Sequence, residues 1–159
     1  MSSPDDDAVH RAVMRHSLTE LMEALSQGSA VDALDKGGRT ALFYATSDGN
    51  AAIVDELLRR GANPNAQDKA LETPLHFAAR EYQIETARHL IVGGANPNVP
   101  DSHGNTPLWR AVFESRGRGE MIKLLLSAGA DKTLKNRHGS SPEDLARNIG
   151  NYDVAGFLQ

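Results

Sequence analysis

Thr73-Pro74-Leu75-His76-Phe77-Ala78 is the stretch that decides the fold, because versions of it recur along the chain at a fixed interval. Thr40-Ala41-Leu42-Phe43-Tyr44-Ala45 precedes it by 33 residues, and Thr106-Pro107-Leu108-Trp109-Arg110-Ala111 follows it by 33. A second landmark keeps the same phase and reads Gly61-Ala62-Asn63-Pro64-Asn65, Gly94-Ala95-Asn96-Pro97-Asn98 and Gly129-Ala130-Asp131. Its last interval is two residues longer, which indicates an insertion near residues 115–119. Two landmarks in phase indicate a repeat architecture.

Each repeat carries the signals for two short helices. A threonine followed by proline predicts the start of the first helix, because the threonine oxygen can cap it and a proline at its first position loses no hydrogen bond. The second helix is indicated by apolar residues at helical spacing, such as Ile53, Val54 and Leu57. It ends at a glycine, Gly61 in this repeat, which suits the left-handed conformation. The unit is therefore helix, turn, helix and a turn-rich finger loop.

In these landmarks the chain resembles ankyrin repeat proteins, closely over residues 35–158 and more weakly over residues 8–34. The resemblance implies an all-α fold, an ankyrin repeat solenoid in which each helix pair buries its apolar face on its neighbours. It also implies one domain, 1–159, with an N-terminal cap repeat at 8–34, full repeats at 35–67, 68–100 and 101–135, and a C-terminal cap repeat at 136–159. Leu71 and Tyr82 depart from the family pattern. They stand where the family has glycine, at positions that often need a positive φ.

Composition excludes several classes of protein. The 159 residues include 17 Lys and Arg against 21 Asp and Glu, and this net negative charge argues against non-specific nucleic-acid binding. The chain has no cysteine, which excludes disulfides and thiolate metal sites and fits a reducing compartment. Its N-terminus is acidic where a signal peptide would be basic, and no apolar run approaches membrane-spanning length. We therefore expect a cytoplasmic protein without a membrane partner.

The acidic residues are concentrated at one end of the chain. Residues 1–35 contain seven acidic and two cationic residues, a net charge of −5, whereas residues 36–100 contain seven of each. Residues 101–159 contain eight cationic and seven acidic residues, a net charge of +1. An acidic end can steer a basic partner, although it can also serve solubility alone.

Catalytic and metal motifs are missing from the sequence. The six histidines are not at metal-ligand spacing, and there is no glycine-rich phosphate loop, so we expect no enzyme activity, no cofactor and no metal. The resemblance favours a structural hydrogen bond for His76, which bridges neighbouring turns in this family. His103 and His138 occupy equivalent finger positions and can meet a ligand or metal, although surface histidines are more often only solvated. Asp5-Asp6-Asp7 fits a helix-capping run better than a cation site.

The resemblance also places candidate partner-binding residues on the fingers and on the exposed side of the first helix of each repeat, which together form a concave surface. They are Lys36, Arg39, Asp48, Lys69, Leu71, Glu72, Arg80, Glu81, His103, Asn105, Phe113, Glu114, Arg116, Arg137 and His138. Phe113 beside Arg80 and Glu81 is typical of an interface anchor, and its burial against the next helix is the alternative. Leu71 either meets a partner or packs on the neighbouring finger. The insertion with Arg116 is either a contact element or a tolerated change of length.

The finer resemblance is to small stand-alone bacterial ankyrin repeat proteins, through the Gly-Ala-Asn-Pro-Asn ends and the closing Ser141-Pro142-Glu143-Asp144-Leu145-Ala146. Some proteins of that kind are immunity proteins that neutralise a toxin made by the same cell. This resemblance implies a non-enzymatic, monomeric protein-binding module, an inhibitor of a cognate toxin. The alternative is a general ankyrin adaptor or scaffold, because the fold alone does not choose the partner.

Overall fold

The computed structural model describes Asp5, residues 7–150 and residues 153–159. Outside the described residues lie parts of the predicted domain, namely residues 1–4, Asp6, Asn151 and Tyr152. Asp6 also belongs to the predicted acidic run. Within the described ranges the chain forms nine α-helices, one 3₁₀ helix and no strand, which confirms the all-α prediction. The helices are α1 (Ala8–Met14), α2 (Leu18–Ser26), α3 (Ala41–Ser47), α4 (Ala51–Arg59), α5 (Pro74–Glu81), α6 (Ile84–Val92), α7 (Pro107–Phe113), α8 (Glu120–Ser127) and α9 (Pro142–Asn148), with the 3₁₀ helix at Ala155–Leu158.

The helices stack in two layers. The inner helices α1, α3, α5, α7 and α9 contact one another in that order. The outer layer consists of α2, α4, α6, α8 and the 3₁₀ helix, which contact one another in the same way. The core lies between the layers, and equivalent leucines are fully buried in each repeat, Leu42, Leu75 and Leu108 from the inner helices and Leu57, Leu90 and Leu125 from the outer ones. Each such side chain stabilises the fold by about 1.5–3 kcal/mol.

Thr106 and Thr40 begin their helices differently. The Thr106 side chain accepts a hydrogen bond from the Trp109 N–H at 3.3 Å, which confirms the predicted cap of α7. Thr40 is followed by alanine rather than proline, and its buried hydroxyl has no hydrogen-bond partner among the described residues. Gly61 and Gly129 have φ values of 88° and 91°, which confirms that the outer helices end in the left-handed conformation.

The recurring asparagines that follow the outer helices form hydrogen bonds between neighbouring repeats. Asn65 accepts a hydrogen bond from the Asn96 N–H at 2.7 Å through Oδ1 and donates one to the Gly94 carbonyl at 3.1 Å through Nδ2. One repeat later, Asn98 makes the same pair of bonds to the Asp131 N–H and the Gly129 carbonyl, at 2.7 and 3.0 Å. The Gly-Ala-Asn-Pro-Asn landmark is therefore a link between adjacent units.

The fingers, residues 35–39, 68–72, 101–105 and 136–140, are built alike. In each one the N–H of the first residue donates to the carbonyl of the fifth, at 2.9–3.0 Å. The first residue is an aspartate or asparagine whose Oδ1 accepts the N–H groups that follow. In the third finger the carboxylate of Asp101 accepts from His103 at 2.8 Å and from Asn105 at 2.9 Å. Neighbouring fingers also touch, because the Arg137 N–H donates to the His103 carbonyl at 2.9 Å.

The turn geometry at Leu71 and Tyr82, which the sequence leaves open, is left-handed at both positions. Leu71 has φ 58° where the other fingers carry a glycine such as Gly104, at φ 80°. Tyr82 has φ 55° where the preceding repeat has Gly49, at φ 69°. A side chain in this conformation costs about 1–2 kcal/mol, because its Cβ crowds the following carbonyl oxygen.

We expect Leu71→Gly to raise the free energy of unfolding by about 0.5–1 kcal/mol, because it removes this strain at the cost of some chain entropy. Leu71 is 44% exposed, so little packing is lost. Urea denaturation followed by circular dichroism measures the change. Gly104→Ala is the opposite change at the equivalent position of the third finger. It should lower the free energy of unfolding, because the added Cβ would lie 3.0 Å from the Arg137 nitrogen and 3.1 Å from the Asn136 Cα. A Leu71→Gly variant that is less stable than the original chain would contradict the inference that the backbone at Leu71 is strained.

Candidate functional site

The predicted concave face consists of the fingers and the exposed side of the inner helices. Ten of the predicted partner-binding residues are exposed, namely Lys36, Asp48, Lys69, Leu71, Glu81, His103, Phe113, Arg116, Arg137 and His138. Arg39, Arg80 and Glu114 are partly buried. Leu71 is 44% exposed.

Glu72 and Asn105 correct the predicted set, since both are buried, at 7% and 6% exposure. The Glu72 carboxylate is held by Arg80 at 3.1 Å and by Arg110 of the next repeat at 3.5 Å. The Asn105 side chain accepts a hydrogen bond from Asn136 Nδ2 at 2.8 Å. Both side chains therefore hold the scaffold together beneath the concave face.

Arg80 and Arg39 are likewise engaged within the chain. Their guanidinium groups lie over the Phe77 ring, at 4.4 Å for Arg80 and 4.9 Å for Arg39. Arg39 Nε also donates to the buried carboxylate of Asp68 at 3.1 Å. A guanidinium over an aromatic face is attracted by the ring's negative quadrupole. The predicted anchor Arg80 is thus part of an internal network.

His76 has the predicted structural role. The ring is fully buried, its Nδ1 accepts the Thr73 N–H at 3.0 Å, and its Nε2 donates to the Asn105 carbonyl at 2.9 Å. Burial lowers the pKa of His76, because the charged imidazolium is poorly solvated inside the stack. The neutral ring therefore bridges two repeats.

Asp68 and Asp101 are structural residues that the sequence analysis missed. Burial alone would raise the pKa of Asp101, but hydrogen bonds from the Asn105 N–H and the Arg110 guanidinium outweigh it and hold that pKa below its ordinary value. The Arg110 Nη2 lies 2.7 Å from Asp101 Oδ2. The signal was present in the sequence, because Asp35, Asp68 and Asp101 recur at the 33-residue interval.

Phe113 is the aromatic residue exposed on the concave face. Its side chain is 56% exposed, so the alternative of burial against the next helix is wrong. The ring is stacked on Trp109, with the centroids 5.4 Å apart and the planes at 12°. It occupies the position one repeat after Arg80, on the adjacent inner helix. Stacking fixes its orientation, so a partner would meet an ordered apolar surface.

Tyr82 contacts the insertion that follows α7. Two departures from the repeat pattern, Tyr82 and the insertion, therefore lie together. The Tyr82 hydroxyl donates to the Arg118 carbonyl at 2.7 Å, and the Arg118 guanidinium lies 3.9 Å from the centre of the Tyr82 ring. Burial raises the pKa of Tyr82 to about 12, so the phenol keeps the proton that it donates. The loop is therefore fixed in place.

A cleft of about 360 Å3 lies at this end of the concave face. Its walls are Arg80, Glu81, Glu114, Arg116 and Arg118. Arg116 and Arg118 make no ion pair with any described residue, which leaves two guanidinium charges uncompensated beside the cleft.

A model of ankyrin repeats in three copies matches residues 2–68 and 53–136, and together these stretches cover most of the sequence. The chain belongs to the ankyrin repeat family. Ankyrin repeats bind other proteins, so this ankyrin chain is a module for protein–protein interaction. The family generally consists of non-enzymatic binding modules.

Two curated relatives resemble part of the ankyrin chain. Osteoclast-stimulating factor 1 of Gallus gallus is 42% identical over 52 residues, which is 33% of this chain and 26% of that protein. Osteoclast-stimulating factor 1 of Sus scrofa is also 42% identical over 52 residues, 33% of this chain and 24% of the relative. The match therefore spans about a quarter of the length of these relatives.

Among the described residues there is neither a cluster of metal ligands nor a membrane-spanning helix. In the described ranges no group of three or more His, Asp or Glu side chains could hold a metal ion. His103 and His138 are exposed on adjacent fingers, and His103 Nδ1 lies 3.4 Å from the Ser102 hydroxyl. None of the described helices is long and apolar enough to cross a membrane.

Proposed function

We propose that this chain binds its partner through the concave face, with Phe113 as the central apolar contact. The observation that carries the proposal is an exposed aromatic ring, ordered by its stack on Trp109. Interface hot spots are commonly aromatic residues with a polar rim around them. The proposed rim consists of the other exposed or partly buried members of the predicted set, Lys36, Arg39, Asp48, Lys69, Leu71, Arg80, Glu81, His103, Glu114, Arg116, Arg137 and His138.

We further propose that the partner is a cognate toxin and that the chain is an immunity-type inhibitor, a cytoplasmic monomer until it binds. The likeness of its repeat ends to small stand-alone bacterial ankyrin proteins supports this role. The acidic first 35 residues suit a basic, nucleic-acid-cutting toxin by charge complementarity. The concave face would then cover the toxin's active site or block the approach of its substrate. An adaptor or scaffold that holds several partners is the alternative.

The site is tested by capture of partners on the immobilised intact chain and on two variants. We expect Phe113→Ala to weaken partner binding at least about ten-fold, because truncation of a central aromatic anchor commonly costs that much. Val92→Ala is the matched control, since Val92 is 89% exposed on the outer helix α6. Equal retention by both variants would remove the concave face from the proposal.

The role is tested by expressing the captured protein alone and together with the chain. A single stoichiometric partner that stops growth alone, and is harmless beside the intact chain, supports the inhibitor. Several partners of moderate affinity and no toxicity would replace the inhibitor with the adaptor.

A further inference from the structure

The second finger and α5 form a site for an arginine side chain, and this site is occupied by the chain's own Arg39. Arg39 Nε donates to Asp68 Oδ2 at 3.1 Å, and its guanidinium carbon lies 4.9 Å from the centre of the Phe77 ring. Asp68 supplies a buried carboxylate and Phe77 supplies an aromatic face. The two together hold a guanidinium that comes from the preceding finger.

The first finger and α3 repeat the carboxylate and the ring, but no described arginine pairs with the carboxylate. Asp35 and Tyr44 stand 33 residues before Asp68 and Phe77, and the Tyr44 hydroxyl donates to Asp35. The other oxygen of Asp35 accepts the N–H groups of Gly37 and Arg39, at 2.7 and 2.9 Å. No cation of the described residues forms an ion pair with Asp35.

The aspartate of the third finger has a cation partner among the described residues, unlike Asp35 of the first finger. The Asp101 carboxylate is paired with Arg110 at 2.7 Å, and Arg110 occupies the position of Tyr44 two repeats later. Two of the three finger aspartates thus have a guanidinium partner, whereas the described side chain that donates to Asp35 is the neutral phenol of Tyr44.

A cavity of about 270 Å3 opens beside Asp35 on the concave face. Its walls are Asp7, His10, Arg11, Met14, Asp35 and Tyr44. Met14 is 65% exposed and offers apolar surface to an aliphatic stem. The charge of Arg11 is matched by Asp5, whose Oδ1 lies 3.3 Å from Nη1.

His10 also lines the cavity and contacts the first finger. Its Nε2 donates to the Arg39 carbonyl at 3.0 Å. The cavity therefore combines a carboxylate that forms no ion pair with a described residue and the ring of Tyr44.

We propose that this cavity receives an arginine side chain of the partner protein. Its guanidinium pairs with Asp35 and lies over Tyr44, as Arg39 does with Asp68 and Phe77 one repeat later. Arginine fits better than lysine, because a planar guanidinium both stacks on a ring and donates several hydrogen bonds to a carboxylate. The net charge of −5 over residues 1–35 attracts such a residue. The inference rests on the proposed function, because the arginine belongs to a protein bound on the concave face.

The first test titrates the ¹⁵N-labelled chain with the peptide acetyl-Gly-Arg-Gly-amide and follows the amide resonances by NMR. We expect shifts centred on the first finger and α3, with a dissociation constant on the order of 1 mM, as for one charge-assisted contact. The neutral citrulline peptide should bind about ten-fold or more weakly, because it lacks the charge. The lysine peptide should also bind more weakly. Equal shifts with the citrulline or the lysine peptide, or no shifts at all, would overturn the proposal.

The variant for this test is Asp35→Asn. It should keep the finger intact, because Oδ1 of Asn136 accepts the same two bonds in the fourth finger, from the N–H groups of His138 and Ser140 at 3.0 Å. We expect it to lose the arginine-peptide shifts. Asp55→Asn on the outer helix α4 is the control, and it should retain them. Retention of the shifts in Asp35→Asn would place the peptide elsewhere and overturn the site.

Binding of the partner protein separates this inference from the proposed function. If Phe113→Ala weakens the complex and Asp35→Asn leaves its affinity unchanged, the concave face stands and the arginine site is overturned. If both weaken it while Asp55→Asn does not, both are supported. If neither weakens it, the concave face fails as the docking surface, and the site fails as a contact of that partner.

Discussion

Asp101→Ala is expected to lower the free energy of unfolding by about 3–5 kcal/mol, the usual cost of removing one member of a buried, hydrogen-bonded ion pair. Asp101 is buried, with Oδ2 on the Arg110 guanidinium and Oδ1 on the N–H groups of His103 and Asn105. The alanine variant leaves these three donors without their acceptor. Urea denaturation followed by circular dichroism measures the loss.

Asp101→Asn separates the ion pair from the finger geometry. Asn136 holds the fourth finger with the same two N–H bonds that Asp101 makes in the third, so an asparagine at 101 should keep them. We expect this variant to lose about 1.5–3 kcal/mol, the usual contribution of a hydrogen bond to a charged group such as Arg110. An alanine variant within about 1 kcal/mol of the original chain would mean that this network contributes little to stability.

The same pair makes stability depend on pH. The pKa of Asp101 is lower in the folded chain than the ordinary value of about 3.9, so its contribution is complete above that value. The contribution is lost as the pH falls through the folded-state pKa, where the carboxylate takes up a proton. The difference in unfolding free energy between the original chain and Asp101→Asn should therefore shrink in acid and stay constant at neutral pH.

Most of the fold could be predicted from the sequence, because it depends on short-range signals that recur in phase. The helix pairs and the glycine ends each follow from residues within one repeat. The left-handed conformation of Leu71 and Tyr82 does not, because neither residue type favours a positive φ. Thr40 shows a further limit, since a threonine at the start of a helix does not by itself place its oxygen on the N–H groups of the first turn.

The site was predicted less well, because exposure on the concave face depends on contacts between repeats. Glu72 and Asn105 occupy finger positions that look exposed within one repeat, but Arg110 and Asn136 of later repeats cover or bind them. Arg80 lies over Phe77 of its own helix α5, and Phe113 is stacked on Trp109 of its own helix α7. These contacts join residues three and four positions apart on a helix, a local signal that the sequence analysis did not use. Comparing equivalent positions across all the repeats would have singled out the finger aspartates.

Deletion of residues 136–159 is expected to make the chain aggregate. These residues supply α9, which packs on α7, and the 3₁₀ helix, which packs on α8. Without them, apolar side chains of α7 and α8 that are now fully buried would meet water, including Leu108, Val112 and Ile122. Exposing each one costs about 1.5–3 kcal/mol, and the sum is comparable to the whole stability of a small domain.

Size-exclusion chromatography with light scattering, together with circular dichroism, measures this loss. Removal of the exposed Gln159 alone is the control and should leave the chain monomeric and helical. The last unit also binds the third finger, through the Asn136 side chain on Asn105 and the Arg137 N–H on His103, so the deletion should loosen that finger as well. Nearest-neighbour contacts dominate the stability of a stacked repeat protein, so the damage should begin at the exposed third repeat. A truncated chain that stays monomeric with unchanged ellipticity per residue would show that the third repeat needs no cover, and the proposal that residues 136–159 act as a cap would fail.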